Sequence, residues 1–182
     1  MPKPLEGIHF MMPTPFSNNS QIDMNSIDNL IEFSIKNRCH GIVIMGVMGE
    51  AHRLTENERN LIIKRVINKV NDRLPITVGV SGESIQIISQ RSIQAKDLGA
   101  SYILCSPPKM TTTNENVIFN FFEHLSKSCT LPIVLQDLPQ ETGVSLSPDF
   151  INKLFKEIPK IKFIKLEDPP TPKKISEILD KT

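Results

Sequence analysis

The chain has 182 residues, with 21 basic and 20 acidic side chains and a formal net charge of +1. This balance provides no charged surface for nucleic acid or an anionic membrane, and no apolar run approaches the roughly 20 residues that span a bilayer. The three cysteines lie far apart without a Cys-x-x-Cys pair, and the amino terminus lacks the apolar core of a signal peptide. We therefore expect a soluble, cytoplasmic globular protein.

Short apolar runs that are rich in β-branched residues recur along the chain and predict six strands. They lie at 7–11, 42–45, 76–80, 102–105, 132–135 and 161–166, and the first is the weakest. The later five begin roughly 30 residues apart, which is the length of a βα unit.

Stretches with helical periodicity lie between these runs. Three apolar stripes predict helices: Ile27, Leu30, Ile31 and Ile35; Leu61, Ile62 and Val66; and Val117, Phe121, Phe122 and Leu125. Helix ends are predicted by the capping box of Thr55 and Glu58, by Ser147-Pro148 and Thr171-Pro172 as N-caps followed by proline, and by Gly99 as a C-terminal glycine.

Six strands that alternate with helices predict an α/β fold with a parallel sheet. An open doubly wound sheet and a (β/α)8 TIM barrel are both possible, and the regular unit length favours the barrel. That fold typically takes about 250 residues, so this chain would hold about six of the eight βα units. Because no Pro-, Gly- or Ser-rich linker divides it, we predict a single domain over residues 1–182.

Lys165 is an unusual residue for the strand in which it lies. Alternation at period two puts it on one face with Ile161 and Phe163. Burial disfavours the charged form of a lysine, and a neutral amine can attack a carbonyl to form a Schiff base. The alternative is a lysine at the end of a strand that reaches into solvent.

The loop Gly46-Val47-Met48-Gly49-Glu50 follows the second strand directly. Two glycines permit a tight turn whose backbone amides could hold a carboxylate, although an ordinary βα turn would look the same. The loop is neither a P-loop nor a dinucleotide fingerprint. We therefore expect no nucleotide cofactor.

Polar residues also follow the fifth and sixth strands. Gln136 and Asp137 would lie at the catalytic face of a barrel and could touch a substrate, although Asp137 equally suits a turn or an N-cap. Glu167 and Asp168 could bind a metal or tune Lys165, although a strand-to-helix turn also favours acidic residues. Because no histidine lies at ligand spacing, we expect no metal.

Further short segments complete a pattern that runs from Gly7 to the carboxyl terminus. In order, they are Pro13-Thr14-Pro15-Phe16, the segment 41–50, Leu54-Thr55-Glu56-Asn57-Glu58-Arg59, Leu98-Gly99-Ala100, Leu131-Pro132-Ile133-Val134-Leu135, Pro139, Thr142-Gly143 and Ile164-Lys165. Their order and spacing resemble the dihydrodipicolinate synthase / N-acetylneuraminate lyase family of class I aldolases.

The resemblance implies a (β/α)8 barrel in which Lys165 is the Schiff-base lysine of strand six. It would condense with the ketone of pyruvate or another 2-oxo acid, and the backbone amides of Val47 and Met48 would hold the substrate carboxylate. The resemblance further implies a homo-oligomer, a dimer or a tetramer, for the full-length protein.

The chain departs from the family pattern at several positions. Val47 and Met48 replace hydroxyl residues, and Pro108-Lys109 replaces a frequent Tyr-Tyr pair. Gln136 stands where the family has its usual catalytic tyrosine, and Glu141 stands where the synthases have an arginine that binds a carboxylate. The proton relay of the lysine-biosynthetic enzyme is therefore absent, and an acid at the clamp should repel a dicarboxylic product.

The family resemblance, together with these departures from it, predicts a lyase or aldolase that forms a Schiff base with a pyruvate-type or 2-oxo-3-deoxy sugar acid. Lys165 would be the nucleophile, and Gln136 would orient the substrate or a catalytic water. Two alternatives stay open: a truncated, non-catalytic barrel fragment, and a 4-hydroxy-tetrahydrodipicolinate synthase of lysine biosynthesis.

Overall fold

The computed structural model describes residues 5–180, and within them strands and helices alternate. The strands are β1 (His9–Met11), β2 (Gly41–Ile44), β3 (Ile76–Gly79), β4 (Tyr102–Cys105), β5 (Ile133–Asp137) and β6 (Ile161–Leu166). The helices are α1 (Met24–Lys36), α2 (Glu56–Val70), α3 (Ile85–Leu98), α4 (Glu115–Ser128), α5 (Pro139–Thr142), α6 (Pro148–Glu157) and α7 (Thr171–Leu179). A 3-10 turn, Ala51–Arg53, precedes α2.

The strands form one sheet in the sequential order β1-β2-β3-β4-β5-β6. The pairs β1–β2, β2–β3 and β5–β6 are parallel. A doubly wound sheet would reverse its strand order at a switch point, whereas a barrel adds each new strand beside the previous one. The observed order is that of six successive units of a (β/α)8 barrel, as the sequence predicted.

The chain divides into two compact units that are interleaved along the sequence. Among residues 5–180, one comprises 5–79 and Gln94–Ile103, and the other comprises Val80–Ile93 and 104–180. In the first unit α1 contacts α2, and in the second α6 contacts both α7 and β6. The single domain predicted from the sequence stays a prediction. Within residues 5–180, no helix has both the length and the apolar character needed to cross a membrane.

The predicted helix ends are mostly found in the structure. Thr55 and Glu58 form both hydrogen bonds of the capping box, and the Ser147 hydroxyl accepts a hydrogen bond from the backbone amide of Phe150. Gly99 follows α3 with a φ of +107°. The prediction for Thr171 is wrong: it is the first residue of α7, not its N-cap, and its hydroxyl donates to the Asp168 carbonyl.

The apolar stripes are correct except at two positions. Leu61 and Val117 are exposed, while their helices bury Ile62 and Val66 in α2 and Phe121, Phe122 and Leu125 in α4. The buried set of α2 also includes Arg59, whose guanidinium donates to the Gly79 carbonyl oxygen at 2.7 Å. A buried charged group can therefore take a core position when it satisfies a strand-end carbonyl.

The ends of β2 and β3 approach each other more closely than side chains would allow. Met45 follows β2 with a left-handed φ of +58°. Its carbonyl carbon lies 2.6 Å from the position that a β-carbon would take on Gly79, and its carbonyl oxygen lies closer still. Glycine is therefore required at the end of β3 because the Met45 backbone fills that space.

A buried ion-pair network ties α7 to the end of β5. The Lys174 ammonium lies 2.6 Å from Oδ2 of Asp137 and 2.7 Å from Oδ2 of Asp168, and the Ser145 hydroxyl donates to Asp168. Asp137 is fully buried (0% exposed) and belongs to β5 rather than to a loop. The proposed substrate contact of Asp137 is therefore replaced by a structural contact with a helix.

Burial sets the protonation behaviour of Asp137. Desolvation raises the pKa of its carboxyl above the ordinary value of 3.8, the Asp168 carboxylate adds to the rise, and Lys174 opposes it. Its Oδ1 has no hydrogen bond of normal geometry among the described residues, although the nearby Leu146 amide also favours the carboxylate. The Lys174 contact is thus the main favourable interaction of a costly buried charge.

We predict that Gly79→Ala destabilises the fold by at least about 2 kcal/mol, because the new methyl group would collide with the Met45 backbone. Gly46→Ala is the matched control, since its β-carbon would meet only the flexible end of the Met11 side chain, at 3.1 Å. Urea unfolding of both variants measures the difference. Equal midpoints for the two variants would contradict the close approach.

We predict that Lys174→Met costs about 3 kcal/mol of unfolding free energy, because it leaves the buried Asp137 carboxylate without its cation. Lys173→Met is the control. That side chain is 74% exposed and lies 3.7 Å from Glu177, so its loss should change stability by no more than about 0.5 kcal/mol. Chemical denaturation of both variants measures the two losses of unfolding free energy. Similar losses would contradict the stabilising role of the Lys174 ion pairs.

The raised pKa of Asp137 predicts a pH-dependent contribution to stability. In the unfolded state Asp137 loses its proton near pH 3.8, at a lower pH than in the folded state. The unfolding free energy of the wild type, relative to that of Asp137→Asn, therefore falls as the pH rises from there and levels off above the raised pKa. Asp23 provides an opposite control, because hydrogen bonds from Ser26 lower its pKa. Stability relative to Asp23→Asn should rise over the acid range. Unfolding free energies measured across that range test both slopes, and slopes of the same sign would refute the assignment.

Candidate active site

Lys165 lies at the penultimate position of β6 and pairs in register with Gln136 of β5. A register irregularity between Ile133 and Val134 precedes this pair. Ile161 is buried, but residues 163–166 are only partly buried, so the carboxyl-terminal end of β6 is not enclosed. The Lys165 side chain is 29% exposed. It is therefore open to a small molecule without being fully solvated.

Glu167 brings Lys165 and Gln136 together through a single oxygen atom. Its Oε2 lies 2.6 Å from the Lys165 ammonium nitrogen and accepts a hydrogen bond of 2.8 Å from the Gln136 side-chain amide. The Glu167 backbone amide donates to the Asp137 carbonyl at 2.8 Å, which continues the strand pairing by one residue. The position of the carboxylate is thus determined by the sheet itself.

The two faces of the sheet have different chemistry at this end. Because side chains alternate, Lys165 and Glu167 share one face, and their neighbour Gln136 lies beside them. Asp137 and Asp168 point to the opposite face, where Lys174 neutralises them. The contacts of Lys174 on the helix-covered face anchor both strand ends. Lys165 and Glu167, on the other face, are not part of that network.

The Lys165–Glu167–Gln136 contacts suit proton transfer. A lysine must give up a proton before it can act as a nucleophile, and an acceptor within hydrogen-bond reach makes that transfer direct. Glu167 is such an acceptor, and its side chain is 33% exposed. Gln136 is only 3% exposed and gives its amide to the carboxylate. It is therefore placed to orient Glu167.

The loop Gly46–Glu50 forms two tight turns in the first unit. Gly49 donates to the Gly46 carbonyl at 3.1 Å, and Glu50 donates to the Val47 carbonyl at 2.9 Å. Among residues 5–180, no backbone acceptor engages the amides of Val47 and Met48, and both side chains are exposed. Two amides of the loop are therefore without a backbone acceptor, and that they bind a substrate carboxylate stays a prediction.

Buried polar groups hold this loop in place. The Thr14 hydroxyl, which is buried, donates to the Gly49 carbonyl at 2.7 Å. Arg59 reaches the Ala51 carbonyl at 3.5 Å as well as the end of β3. Both residues belong to segments that carried the family resemblance. The contacts explain why those segments contain a threonine and an arginine, because each side chain donates a hydrogen bond to a carbonyl of the loop or of the turn that follows it.

The sequence did not predict that Lys174 is buried between two carboxylates. It also did not distinguish Glu167 from its neighbour Asp168 as the partner of Lys165. Lys173 and Lys174 are adjacent lysines, and nothing in the sequence distinguishes the buried one. Within the described residues, no three His, Cys, Asp or Glu side chains group closely enough to hold a metal ion. The paired carboxylates Glu167 and Asp168 point to different partners, because they lie on opposite faces of the strand end.

A surface pocket of about 240 Å³ opens beside the ion-pair network. Its lining includes the segment 145–148, Asp168 and Lys174 but neither Lys165 nor Glu167. The pocket therefore lies apart from the Lys165–Glu167–Gln136 contacts, and we assign it no role in the candidate site.

Comparison with known proteins identifies relatives whose sequences align with most of this chain. The model of the dihydrodipicolinate synthetase family matches residues 4–169. The L-2-keto-3-deoxyarabonate dehydratase of Azospirillum brasilense is 30% identical over 176 residues, which cover 95% of this chain and 57% of the relative. The 4-hydroxy-tetrahydrodipicolinate synthase of Rickettsia prowazekii is 31% identical over 160 residues, or 88% of this chain and 54% of the relative.

Solved structures of the same family share the fold. The 4-hydroxy-tetrahydrodipicolinate synthase of Methylacidiphilum fumariolicum matches with a TM-score of 0.92 at 26% identity, over 98% of this chain and 59% of that one. The Acinetobacter baumannii dihydrodipicolinate synthase complexed with pyruvate gives a TM-score of 0.90 at 30% identity, over 98% of this chain and 62% of that one. This chain thus spans a little more than half the length of these relatives. By its sequence and its fold, the chain belongs to the dihydrodipicolinate synthetase family.

Proposed function

We propose that this chain acts as a lyase that forms a Schiff base between Lys165 and the C2 ketone of a 2-oxo acid. The observation that carries the proposal is the contact of 2.6 Å between the Lys165 nitrogen and Glu167 at the end of β6. An amine that can pass its proton to a neighbouring carboxylate can become a nucleophile. Two relatives support the substrate class: one is named for a 2-keto-3-deoxy sugar acid, and another is complexed with pyruvate.

The other predicted site residues take supporting roles in this proposal. The substrate carboxylate would accept hydrogen bonds from the backbone amides of Val47 and Met48, a role that rests on the family resemblance. Gln136 would act through the hydrogen bond that it donates to Glu167. The iminium formed at Lys165 would then accept electrons from the neighbouring carbon during C–C cleavage or loss of water.

The substitutions in the chain favour a 2-oxo-3-deoxy sugar acid over the synthase reaction of lysine biosynthesis. Gln136 replaces the tyrosine of the family pattern, and Glu141, an exposed residue of α5, replaces its arginine. A carboxylate in that position repels a second carboxylate rather than binding it. The homo-oligomer implied by the resemblance stays a prediction, as does the alternative that the chain is a non-catalytic fragment.

Borohydride reduction tests the proposal directly. We expect that sodium borohydride with pyruvate, or with a 2-oxo-3-deoxy sugar acid, adds one reduced adduct at Lys165, because reduction fixes the imine as a stable secondary amine. Intact-mass measurement followed by peptide mapping locates the adduct. Wild-type protein that stays unmodified across a panel of 2-oxo acids would refute the proposal and favour the non-catalytic alternative.

A neighbouring lysine provides the matched control. Lys165→Arg should abolish the adduct, since a guanidinium cannot form the imine. Lys162→Arg should leave it unchanged, because Lys162 is an exposed residue of the same strand. Equal labelling of the wild type and Lys165→Arg would mean that the adduct arises from general amine reactivity.

A further inference from the structure

Two histidines lie where β1 and β2 begin to pair. The backbone amide of His40 donates to the Ile8 carbonyl at 2.7 Å, and the Ile8 amide donates in turn to Nδ1 of His40 at 3.0 Å. His9 is the first residue of β1 and pairs in register with Gly41, and its Nε2 lies 3.2 Å from the Glu6 carbonyl oxygen. Both imidazoles therefore take part in the contacts that begin the β1–β2 ladder.

The two rings pack against glycines of the neighbouring segments. A β-carbon on Gly7 would collide with the His40 ring, and a β-carbon on Gly41 would collide with the His9 ring. Gly7 also has a left-handed φ of +77°, which other residues rarely adopt. Each ring therefore lies directly on a backbone that leaves no room for a side chain.

This arrangement requires both imidazoles to be neutral. Nδ1 of His40 accepts the Ile8 amide, and an imidazolium has hydrogen on both nitrogens and cannot accept. The Glu6 carbonyl places the proton of His9 on Nε2, and its Nδ1 is buried without a hydrogen-bond partner among residues 5–180. A second proton on His9 would therefore be buried without an acceptor, which is unfavourable.

The surroundings of the rings favour the neutral forms. The polar contacts of both rings are with backbone groups rather than with carboxylates. Burial lowers the pKa of His9 below its ordinary value of 6.5, the Glu6 carbonyl opposes this shift, and the charge of His40 adds to it. The described titratable residues on the adjoining segments are Glu6 before β1, Lys36 at the end of α1, Arg38 and Cys39 before β2, and Asp72 and Arg73 before β3.

Strand β1 connects the two histidines to the loop Gly46–Glu50. It is a short strand, His9–Met11, and all three of its residues are only partly buried. Shortly after it, the buried Thr14 hydroxyl donates to the Gly49 carbonyl at 2.7 Å. All of these residues belong to the first compact unit. If β1 separated from β2, it would therefore carry away the hydroxyl that holds the loop.

We propose that His9 and His40 form an acid-sensitive switch whose protonation releases the start of β1 from β2 and, through Thr14, frees the loop Gly46–Glu50. His40 is exposed and can take up a proton from solvent, which removes the acceptor of the Ile8 amide. Protonation of His9 adds a second charge close to the first. The inference does not depend on the proposed Schiff base, because it concerns the conformation of the loop alone.

The pH range of the switch follows from the ordinary titration of an imidazole near pH 6.5. Above that pH the rings are neutral in both the closed and the open forms, so the closing contacts are fully favourable. Below it the open form binds protons that the closed form excludes, so the closed form loses stability as the pH falls. Between pH 7.5 and pH 5.5 one excluded proton shifts the equilibrium about tenfold, and two shift it up to about 100-fold.

Hydrogen–deuterium exchange read by mass spectrometry at pH 7.5 and pH 5.5 tests the inference. After correction for the intrinsic pH dependence of exchange, we expect peptides that cover β1 and the loop Gly46–Glu50 to lose about tenfold or more of their protection in acid. Peptides from α2, which belongs to the same unit, should keep their protection because the switch is local.

The double variant His9→Gln/His40→Asn removes both titrating rings and keeps their hydrogen bonds. The glutamine amide can donate to the Glu6 carbonyl, and the asparagine oxygen can accept the Ile8 amide. Protection of β1 and the loop should then be equal at the two pH values. His124→Gln is the matched control, because His124 is an exposed residue of α4, and it should keep the acid response of the wild type.

The outcomes decide between a local switch and general acid sensitivity. Equal protection of wild-type β1 at both pH values would overturn the switch, as would a folded double variant that loses as much protection in acid as the wild type. A loss in α2 as large as that in β1 would also overturn it, since acid would then unfold the whole unit. Loss at β1 without loss in the loop would overturn the coupling through Thr14. If the double variant does not fold, His40→Asn alone carries the test and should lose less protection in acid than the wild type.

Discussion

The parallel register between β5 and β6 is the constraint on which the candidate site depends. It pairs Gln136 with Lys165 and Asp137 with Leu166, and the Glu167 amide extends the pairing by one more hydrogen bond. Since side chains alternate along a strand, a shift by one residue would move Lys165 and Glu167 to the helix-covered face. The chemistry of this end of the sheet is therefore fixed by backbone hydrogen bonds before any side chain makes a contact.

The helix-covered face shows why that register is stable. Asp137 and Asp168 come from two neighbouring strand ends, and the ammonium of Lys174 lies between them. A slipped register would carry the Asp137 carboxylate away from its cation, and a buried charge without a partner is strongly unfavourable. The ion pairs on one face thus support the arrangement of the lysine and carboxylate on the other.

Much of the fold could be predicted because its signals are local. Apolar β-branched runs located the strands, and the Thr55 capping box and Gly99 located helix ends. The apolar residues of α7 do not predict which face of that helix is buried, because Ile175 and Leu179 are exposed while Lys174 is buried. A lysine that takes a core position is stabilised by carboxylates 6 and 37 residues away in sequence. Sequence periodicity carries no information about such partners.

The site was predictable only in part for the same reason. Lys165 was evident as an amine on an apolar strand, and Gln136 was evident from the family pattern. The contact between Gln136 and Glu167 joins residues 31 positions apart and depends on the register irregularity near Ile133. A sequence alone does not specify that irregularity, so Glu167 could be seen only as one of two adjacent acids.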